Sequence, residues 1–192
     1  MKAAIIVVDM LQDNFRDEHH LPITSNARVI IPTINRLLKE SRQRGFPVVF
    51  SCDSFLPGDF IFQGKMKPHS LRGTPGAEVV KDLIQEPSDI IVPKRRFSAF
   101  FKTDLDMTLR GLQVDTVAVT GIATHVCVLA TALDALCHDL KTIIIEDCCA
   151  APTPEIHQRT LDNYRRNPLY PLFRVMTTQE FLSELKAPSS QT

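Results

Sequence analysis

Residues 3–9 read AAIIVVD, six apolar residues followed by an aspartate. A short apolar run without polar alternation is typical of a strand that is buried on both faces, as in a parallel sheet. Five similar runs occur further along the chain, at 48–50, 90–92, 116–119, 142–145 and 173–176. The sequence therefore predicts an open, mainly parallel sheet of six strands.

Helical patterns separate these apolar runs. The longest covers residues 27–44 and ends before Gly45, a residue that commonly follows the last turn of a helix. Shorter patterns lie at 76–83, 104–112, 126–138 and 154–166. Strands that alternate with helices imply right-handed crossovers, which place helices on both faces of the sheet. We predict the α/β class and a three-layer αβα sandwich, with one domain over residues 1–186 and a flexible tail at 187–192.

The composition excludes several classes of protein. The chain has 192 residues, of which 44% are hydrophobic and 23% charged, and this range is globular rather than disordered or fibrous. The 22 basic and 22 acidic residues give a formal net charge of zero, so no overall field favours a nucleic acid. No apolar stretch approaches the roughly 18 residues that a membrane span needs. We expect a small-molecule substrate, and neither a nucleic acid nor a membrane as partner.

The cysteines indicate a reducing environment. There are five of them, mostly among apolar neighbours, and none has the CxxC spacing of a zinc ribbon or a redox dithiol. The N-terminal apolar run is too short for a signal peptide. These features predict a cytoplasmic protein.

Three chemically capable residues lie at or just after the ends of predicted strands. Asp9 follows the first strand, Lys94 follows the third, and Cys127 follows the fourth. The carboxyl ends of parallel strands meet at one edge of the sheet, where ligands bind. We expect the start of the 126–138 helix to lower the pKa of the Cys127 thiol and make it a nucleophile. Taken singly, Cys127 also fits a core position, Asp9 a turn cap and Lys94 an edge position.

Three segments resemble the motifs of the isochorismatase-like cysteine hydrolases, a family that includes nicotinamidases and N-carbamoylsarcosine amidases. They are VVDMLQDNF at 7–15, VPKRRFSAF at 92–100 and GIATHVCVLATALDA at 121–135. The resemblance implies that Asp9, Lys94 and Cys127 form a catalytic triad. It also implies an oxyanion hole made by the backbone N–H groups of Ala123 and Cys127, and a cis peptide bond between Ile122 and Ala123.

The resemblance further implies a cysteine amidohydrolase. Such an enzyme cleaves the C–N bond of a small amide, carbamoyl or ureido compound through a thioester and releases ammonia. One alternative is the hydrolysis of a vinyl ether, as in isochorismatase proper, but that reaction does not use the cysteine nucleophile that Cys127 offers. The other is a non-catalytic binding protein that retains the fold. A homo-oligomer, a dimer or a tetramer, is also implied, with Phe60, Ile61 and Phe62 as candidate contacts.

The resemblance also bears on a metal. Metal-containing nicotinamidases of this family use an Asp-x-His motif after the second strand and a further His before a TPGAE-like segment. Here Asp53 and His69 occupy two of these three places, but Phe55 stands where the first His is expected. Two protein ligands rarely make a tight zinc site, so we expect no required cofactor and regard Asp53 and His69 as weak candidates only.

The substrate pocket is expected to include residues from several segments. In the first motif of the family an aromatic residue usually stands five positions after the aspartate, whereas here that position is Asn14 and the aromatic is Phe15. The long aperiodic stretch 54–75 is expected to act as a functional loop or lid. The predicted pocket residues are Phe15, Asp53, Phe55, His69, Arg96, Phe97 and Ile122.

Basic residues gather in segments near the predicted site although the whole chain is neutral. They are Lys65, Lys67 and Arg72 in the long loop, with Arg95 and Arg96 beside the catalytic lysine. Such a cluster favours a substrate that carries a carboxylate, and Arg96 is its leading candidate. The alternative is that these charges are solvated surface.

Overall fold

Six strands form one sheet, and every neighbouring pair in it is parallel. The structure is a computed structural model that describes residues 1–19 and 21–185, so the tail predicted at 187–192 lies outside the described residues. The strands are β1 (Ala3–Val8), β2 (Val48–Asp53), β3 (Ile90–Lys94), β4 (Thr116–Ile122), β5 (Lys141–Ala150) and β6 (Phe173–Met176). The prediction of a six-stranded open sheet is confirmed.

Alternate residues of β1 belong to two different hydrophobic cores. Ala3, Ile5 and Val7 pack in the core on one face, which also contains side chains of α1 and α5. Ala4, Ile6 and Val8 pack in the core on the other face, with side chains of α2, α3 and α4. The sheet is thus the middle layer of an αβα sandwich, which explains why its strands lack polar alternation.

Five helices cover the sheet in the described part of the chain. They are α1 (Thr24–Arg42), α2 (Leu105–Gly111), α3 (Leu129–Cys137), α4 (Pro154–Arg165) and α5 (Thr178–Glu184). A π-helical turn, Thr124–Val128, precedes α3. No helix in this part of the chain is long and apolar enough to cross a membrane.

The helix predicted at 76–83 is wrong. A short 3-10 turn, Pro75–Ala77, is followed by irregular backbone. Val79 and Val80 are buried as the apolar pattern requires, but their segment bonds to a distant one: the Val80 N–H donates to the Met10 carbonyl, and Glu78 accepts from the Gln12 N–H. Tertiary hydrogen bonds therefore satisfy backbone groups that a helix would have used.

The last helix, α5, is missing from the sequence prediction although the chain carries a signal for it. The Thr177 hydroxyl accepts from the Glu180 N–H, while the Glu180 carboxylate accepts from the Thr177 N–H. This reciprocal pair is a capping box, which satisfies two donors at the start of a helix.

The strand order places the site. Across the sheet the order is β3-β2-β1-β4-β5-β6, so the chain moves from β1 toward one edge and then returns to add β4 on the other side of β1. The crossovers leave β1 and β4 in opposite directions, which opens a crevice at the carboxyl ends of these two strands. Asp9 follows β1 and Cys127 follows β4 at this crevice.

Candidate active site

Four neighbouring strands each end at a polar residue or lead directly into one. Lys94 ends β3, Asp53 ends β2, and the two residues are partners in the register of these strands. Asp9 follows β1, and Cys127 lies in the π-helical turn after β4. Parallel register therefore brings together residues that lie as far apart in the sequence as Asp9 and Cys127.

Lys94 is the centre of this group. Its ammonium group donates a 2.8 Å hydrogen bond to Asp9 Oδ2 and another to Asp53 Oδ1. The Lys94 side chain is 0% exposed, so these carboxylates replace water around its charge. Burial alone would lower the pKa of Lys94, but the surrounding negative groups outweigh it and raise that pKa above its usual value. Lys94 is a fixed cation.

Asp53 is the second carboxylate on the same ammonium. Burial, followed by repulsion from Asp9, raises the pKa of Asp53 to about 7, although Lys94 works in the opposite direction. The Asp53 N–H donates to Asp9 Oδ1 at 2.9 Å. Asp53 is therefore bonded to Asp9 through its backbone and to Lys94 through its side chain. Two carboxyl groups thus share one ammonium, and the raised pKa means that Asp53 gains a proton more readily than an ordinary aspartate.

The pKa of the Cys127 thiol differs from the prediction. Burial is the largest influence on its pKa, repulsion from Asp9 adds to it, and together they raise that pKa well above the usual thiol value, although Lys94 lowers it. The predicted lowering by a helix N-terminus is therefore wrong, because a desolvated site with two carboxylates disfavours a thiolate. Ligand atoms of Asp9, Asp53 and Cys127 all lie within 4.8 Å of one another. The resting group is a thiol with a base beside it.

Backbone geometry holds Asp9 at this position. Asp9 has φ of 53°, in the left-handed region that a non-glycine residue seldom adopts. Its N–H donates to the Ser51 carbonyl at 2.9 Å, and its own carbonyl accepts from Leu11 N at 2.8 Å and from Asn14 Nδ2 at 2.9 Å. Asn14 therefore fixes the turn that directs the Asp9 carboxylate.

Gly121 allows β1 and β4 to approach each other beside Asp9. It has φ of +100°, and a Cβ atom built on it would lie 2.1 Å from the Val8 carbonyl oxygen. No other residue type fits there without moving a strand.

The cis peptide bond expected between Ile122 and Ala123 is present. The Ala123 carbonyl accepts hydrogen bonds from Val126 N at 3.0 Å and Val128 N at 3.2 Å, so it is engaged by the π-helical turn. The fully buried Thr124 begins that turn, and its hydroxyl lies 2.9 Å from His157 Nδ1 on α4. Ala123 and Cys127 both line the pocket, as an oxyanion hole at this place requires.

Asp9 and Cys127 line the base of a cavity of about 640 Å³. Most of the predicted pocket residues line it: Asp53, Phe55, His69, Phe97 and Ile122. Other residues that line it were not predicted, among them Glu18, Leu21, Met66 and Pro152. Lys94 lies below the cavity, held by the carboxylates. This volume suits a small molecule.

Two predicted pocket residues lie elsewhere. Phe15 is buried in the core beneath the site, and the neighbouring Asn14 lines the pocket in its place. The 3-10 turn Gln12–Phe15 turns the aromatic ring inward, which residue counting from Asp9 does not show. Arg96 does not line the cavity either, and its guanidinium lies 3.5 Å from the carboxylate of the buried Asp59.

Residues 65–69, which we call the strap, line one side of the cavity without a break. The strap is fixed at its C-terminal end, where the Asp13 carboxylate accepts from the Ser70 N–H at 2.7 Å. Gly76 gives this carboxylate room, since a Cβ atom there would meet it at 2.2 Å. The backbone of Phe55 holds the same segment, because its N–H donates to the Ser70 carbonyl and its carbonyl accepts from the Arg72 N–H. Sequence patterns did not single out Asp13 as the anchor of the strap, because the Ser70 N–H that it accepts from lies 57 positions away.

The predicted aromatic contact surface is only partly exposed. Phe60 is 71% exposed, whereas Ile61 and Phe62 are half-buried. The Phe62 ring packs edge-on against Phe55 at 5.3 Å and against His69 at 6.0 Å. The homo-oligomer stays a prediction.

The residues at the expected metal position do not fit a divalent cation. The Asp53 carboxylate accepts from the Lys94 ammonium, and Phe55 offers no donor atom. His69 Nδ1 lies 2.9 Å from the Lys67 carbonyl, and its ring packs against Phe55 with centroids 5.4 Å apart. Among the described residues, the one group of His, Cys, Asp and Glu close enough to hold a metal is Asp9, Asp53 and Cys127, where Lys94 already supplies the positive charge.

Comparisons with known proteins identify relatives of this chain in sequence and in fold. The family model described as an isochorismatase domain matches residues 3–180. A protein of Arabidopsis thaliana named a probable inactive nicotinamidase is 33% identical over 164 residues, which is 80% of this chain and 83% of that protein.

Two solved structures share the whole fold. An isochorismatase-like hydrolase from Alkaliphilus metalliredigens superposes with a TM-score of 0.87 at 32% identity, covering 97% of this chain and all of the other. The N-carbamoylsarcosine amidase of Thermoplasma acidophilum superposes with a TM-score of 0.80 at 30% identity, covering 93% of this chain and 97% of the other.

Proposed function

The chain belongs to the isochorismatase family of hydrolases, and from that premise we propose that it is a cysteine amidohydrolase. Its substrate is a small amide, carbamoyl or ureido compound, whose C–N bond it cleaves with release of ammonia. The observation that carries this proposal is the Asp9–Lys94–Cys127 group at the base of the cavity. The carbamoyl-cleaving activity named for the Thermoplasma acidophilum relative supports the same class of bond.

The first half of the reaction makes a thioester. Asp9 takes the proton from the Cys127 thiol as the sulfur attacks the substrate carbonyl carbon. A base must act here because the pKa of the thiol is raised and little thiolate exists beforehand. The backbone N–H groups of Ala123 and Cys127 donate to the oxygen of the tetrahedral intermediate, an interaction that is typically worth about 100- to 1000-fold in kcat for each donor. Asp9 then returns the proton to the leaving nitrogen, and ammonia departs.

The second half hydrolyses the thioester. Asp9 accepts a proton from water, the resulting hydroxide adds to the carbonyl carbon, and the Cys127 sulfur leaves and regains its proton. The products are the acid and the free enzyme, so one water is consumed for each ammonia released. Lys94 donates a 2.8 Å hydrogen bond to the Asp9 carboxylate, and this bond stabilises the carboxylate charge before each proton transfer. No step needs a metal.

The experiment is a measurement of ammonia release from nicotinamide, pyrazinamide, N-carbamoylsarcosine, ureidoacrylate and biuret. Cys127→Ala is expected to abolish turnover of the accepted compound, a loss of at least about a thousandfold. Cys137→Ala is the matched control, because Cys137 is an exposed thiol at the end of α3. It should leave the rate unchanged.

A second candidate is the non-catalytic protein, since one relative is named a probable inactive nicotinamidase. It predicts no ammonia from any compound and no difference between the Cys127 thiol and the buried Cys148 and Cys149 thiols toward iodoacetamide. If turnover occurs but persists in Cys127→Ala, the cysteine mechanism is refuted while the hydrolase assignment stands.

A further inference from the structure

The five cations predicted to gather near the site are not equivalent. Arg95 and Arg96 both contact the buried carboxylate of Asp59, and the guanidinium of Arg72 donates to the Ser54 hydroxyl at 3.0 Å. These three side chains are therefore occupied by the protein itself, and none of them lines the cavity as described.

Lys65 and Lys67 are different. Both belong to the strap, both line the cavity, and both are exposed at its mouth. In the described part of the chain no salt bridge engages either ammonium group. The strap that carries them is fixed at Ser70 by Asp13, which keeps its lysines beside the cavity.

The base and the mouth of the cavity differ in their charged residues. At its base, the Lys94 ammonium is already bound by the carboxyl groups of Asp9 and Asp53, so it is not free to pair with a carboxylate of the substrate. At its mouth, Lys65 and Lys67 outnumber Glu18, the one acidic residue that lines the cavity away from the base in the described chain. A substrate with a neutral amide at one end and a carboxylate at the other matches both ends at once.

Resting on the proposed function, we propose that Lys65 and Lys67 bind the carboxylate of the substrate, which is an amide or ureido acid rather than a neutral amide. The strap lysines are specificity residues, and they act on binding rather than on the bond that breaks. They replace Arg96 in the role that the sequence suggested for it. The long loop thus serves as the part of the cavity that selects charge.

The experiment compares two alkylating probes with the same reactive group and the same arm, N-iodoacetyl-β-alanine, which ends in a carboxylate, and its neutral methyl ester. Each carries a haloacetamide that reacts with Cys127 and an arm that extends toward the mouth. In a Cys137→Ala background, labelling of Cys127 is followed by mass spectrometry, with Cys127→Ala to identify the site. The acid is expected to label about two- to tenfold faster than the ester, the effect of one or two exposed ion pairs, and the preference should fade in 1 M salt.

The double variant Lys65→Gln/Lys67→Gln is expected to remove the preference for the acid while the ester reacts as before. The matched control is Lys81→Gln/Lys141→Gln, which removes two exposed lysines that do not line the cavity and should keep the preference. Equal labelling by acid and ester in the unmodified protein, or a preference that survives the strap variant, would overturn this proposal.

Ammonia release separates the two proposals. If turnover depends on Cys127 but the probes show no charge preference, the cysteine amidohydrolase stands and the carboxylate site fails. If the charge preference depends on the strap lysines but no compound releases ammonia, the carboxylate site stands and the proposed function fails. In the panel, N-carbamoylsarcosine and ureidoacrylate should show a KM that rises about two- to tenfold in the strap variant, with kcat unchanged.

Discussion

Asp53→Asn tests the electrostatics of the site through protein stability. The asparagine keeps an oxygen that accepts from Lys94 but removes a buried carboxyl whose pKa is raised to about 7, against 3.8 for an ordinary aspartate. Between those two values the folded protein binds more protons at this residue than the unfolded chain does. The contribution of Asp53 to the free energy of unfolding therefore falls as the pH rises through this interval, and the Asp53→Asn variant does not show this fall.

The size of the effect follows from these two pKa values. One pKa unit corresponds to about 1.36 kcal/mol, and a proton bound with a pKa of about 7 rather than 3.8 gives a change on the order of 2–3 kcal/mol between pH 5 and pH 8. The free energy of unfolding of Asp53→Asn, minus that of the unmodified protein, should rise by this amount over that interval. The cause is burial first and the Asp9 carboxylate second.

The assay is urea unfolding of both proteins at pH 5, 6, 7 and 8, followed by circular dichroism. Asp82→Asn is the control, because it makes the same substitution at an exposed aspartate outside the site. A difference for Asp53→Asn that stays constant within about 0.5 kcal/mol across these pH values would refute the reasoning. It would mean that Lys94 keeps Asp53 ionised throughout the range.

Three further outcomes are expected. Gly121→Ala should destabilise the protein by at least about 3 kcal/mol in urea unfolding, because the added Cβ atom would meet the Val8 carbonyl. Gly111→Ala is the control: its added methyl group has open space around it, so stability should change by less than about 1 kcal/mol. Thr124→Val should lower the free energy of unfolding by about 1–3 kcal/mol and lower kcat more than it changes KM, because the hydroxyl bonded to His157 holds the turn before Cys127. Thr124→Ser keeps the hydroxyl and should restore both the stability and kcat. Asp9→Asn should lower the rate of ammonia release about 10²- to 10⁴-fold with the far-ultraviolet spectrum intact, and a rate near that of the unmodified protein would show that another group takes the thiol proton.

Local pattern was sufficient to predict the sheet, and the family motifs added the residues of the proposed triad. A strand buried on both faces needs an apolar residue at every position, and this requirement is visible in a run such as residues 3–8 without knowledge of its partners. Parallel strands then bring their carboxyl ends to one edge, so Asp9, Lys94 and Cys127 were predicted as one group from order along the chain and from family motifs. The cis bond at Ile122–Ala123 came from resemblance alone and is present.

Local pattern could not predict properties that depend on residues far away in the sequence. The pKa of the Cys127 thiol is raised because Asp9 and burial act on it, while its position at the start of a helical segment suggested the opposite. Arg96 is occupied because Asp59 lies buried beneath it, and the segment 76–83 is not helical because Met10 and Gln12 take its hydrogen bonds.

The amino-acid sequence by itself therefore determined the six strands and the class of the fold, and with the family motifs it selected Asp9, Lys94 and Cys127 as the proposed reacting groups. Each of these depends on residue type and on spacing along the chain. Only the tertiary structure decided which charges are already paired, which thiol state is present at rest and which lysines face the cavity. Charge and solvation act through space, and the distances that govern them join residues such as Asp9 and Lys94, which are 85 positions apart.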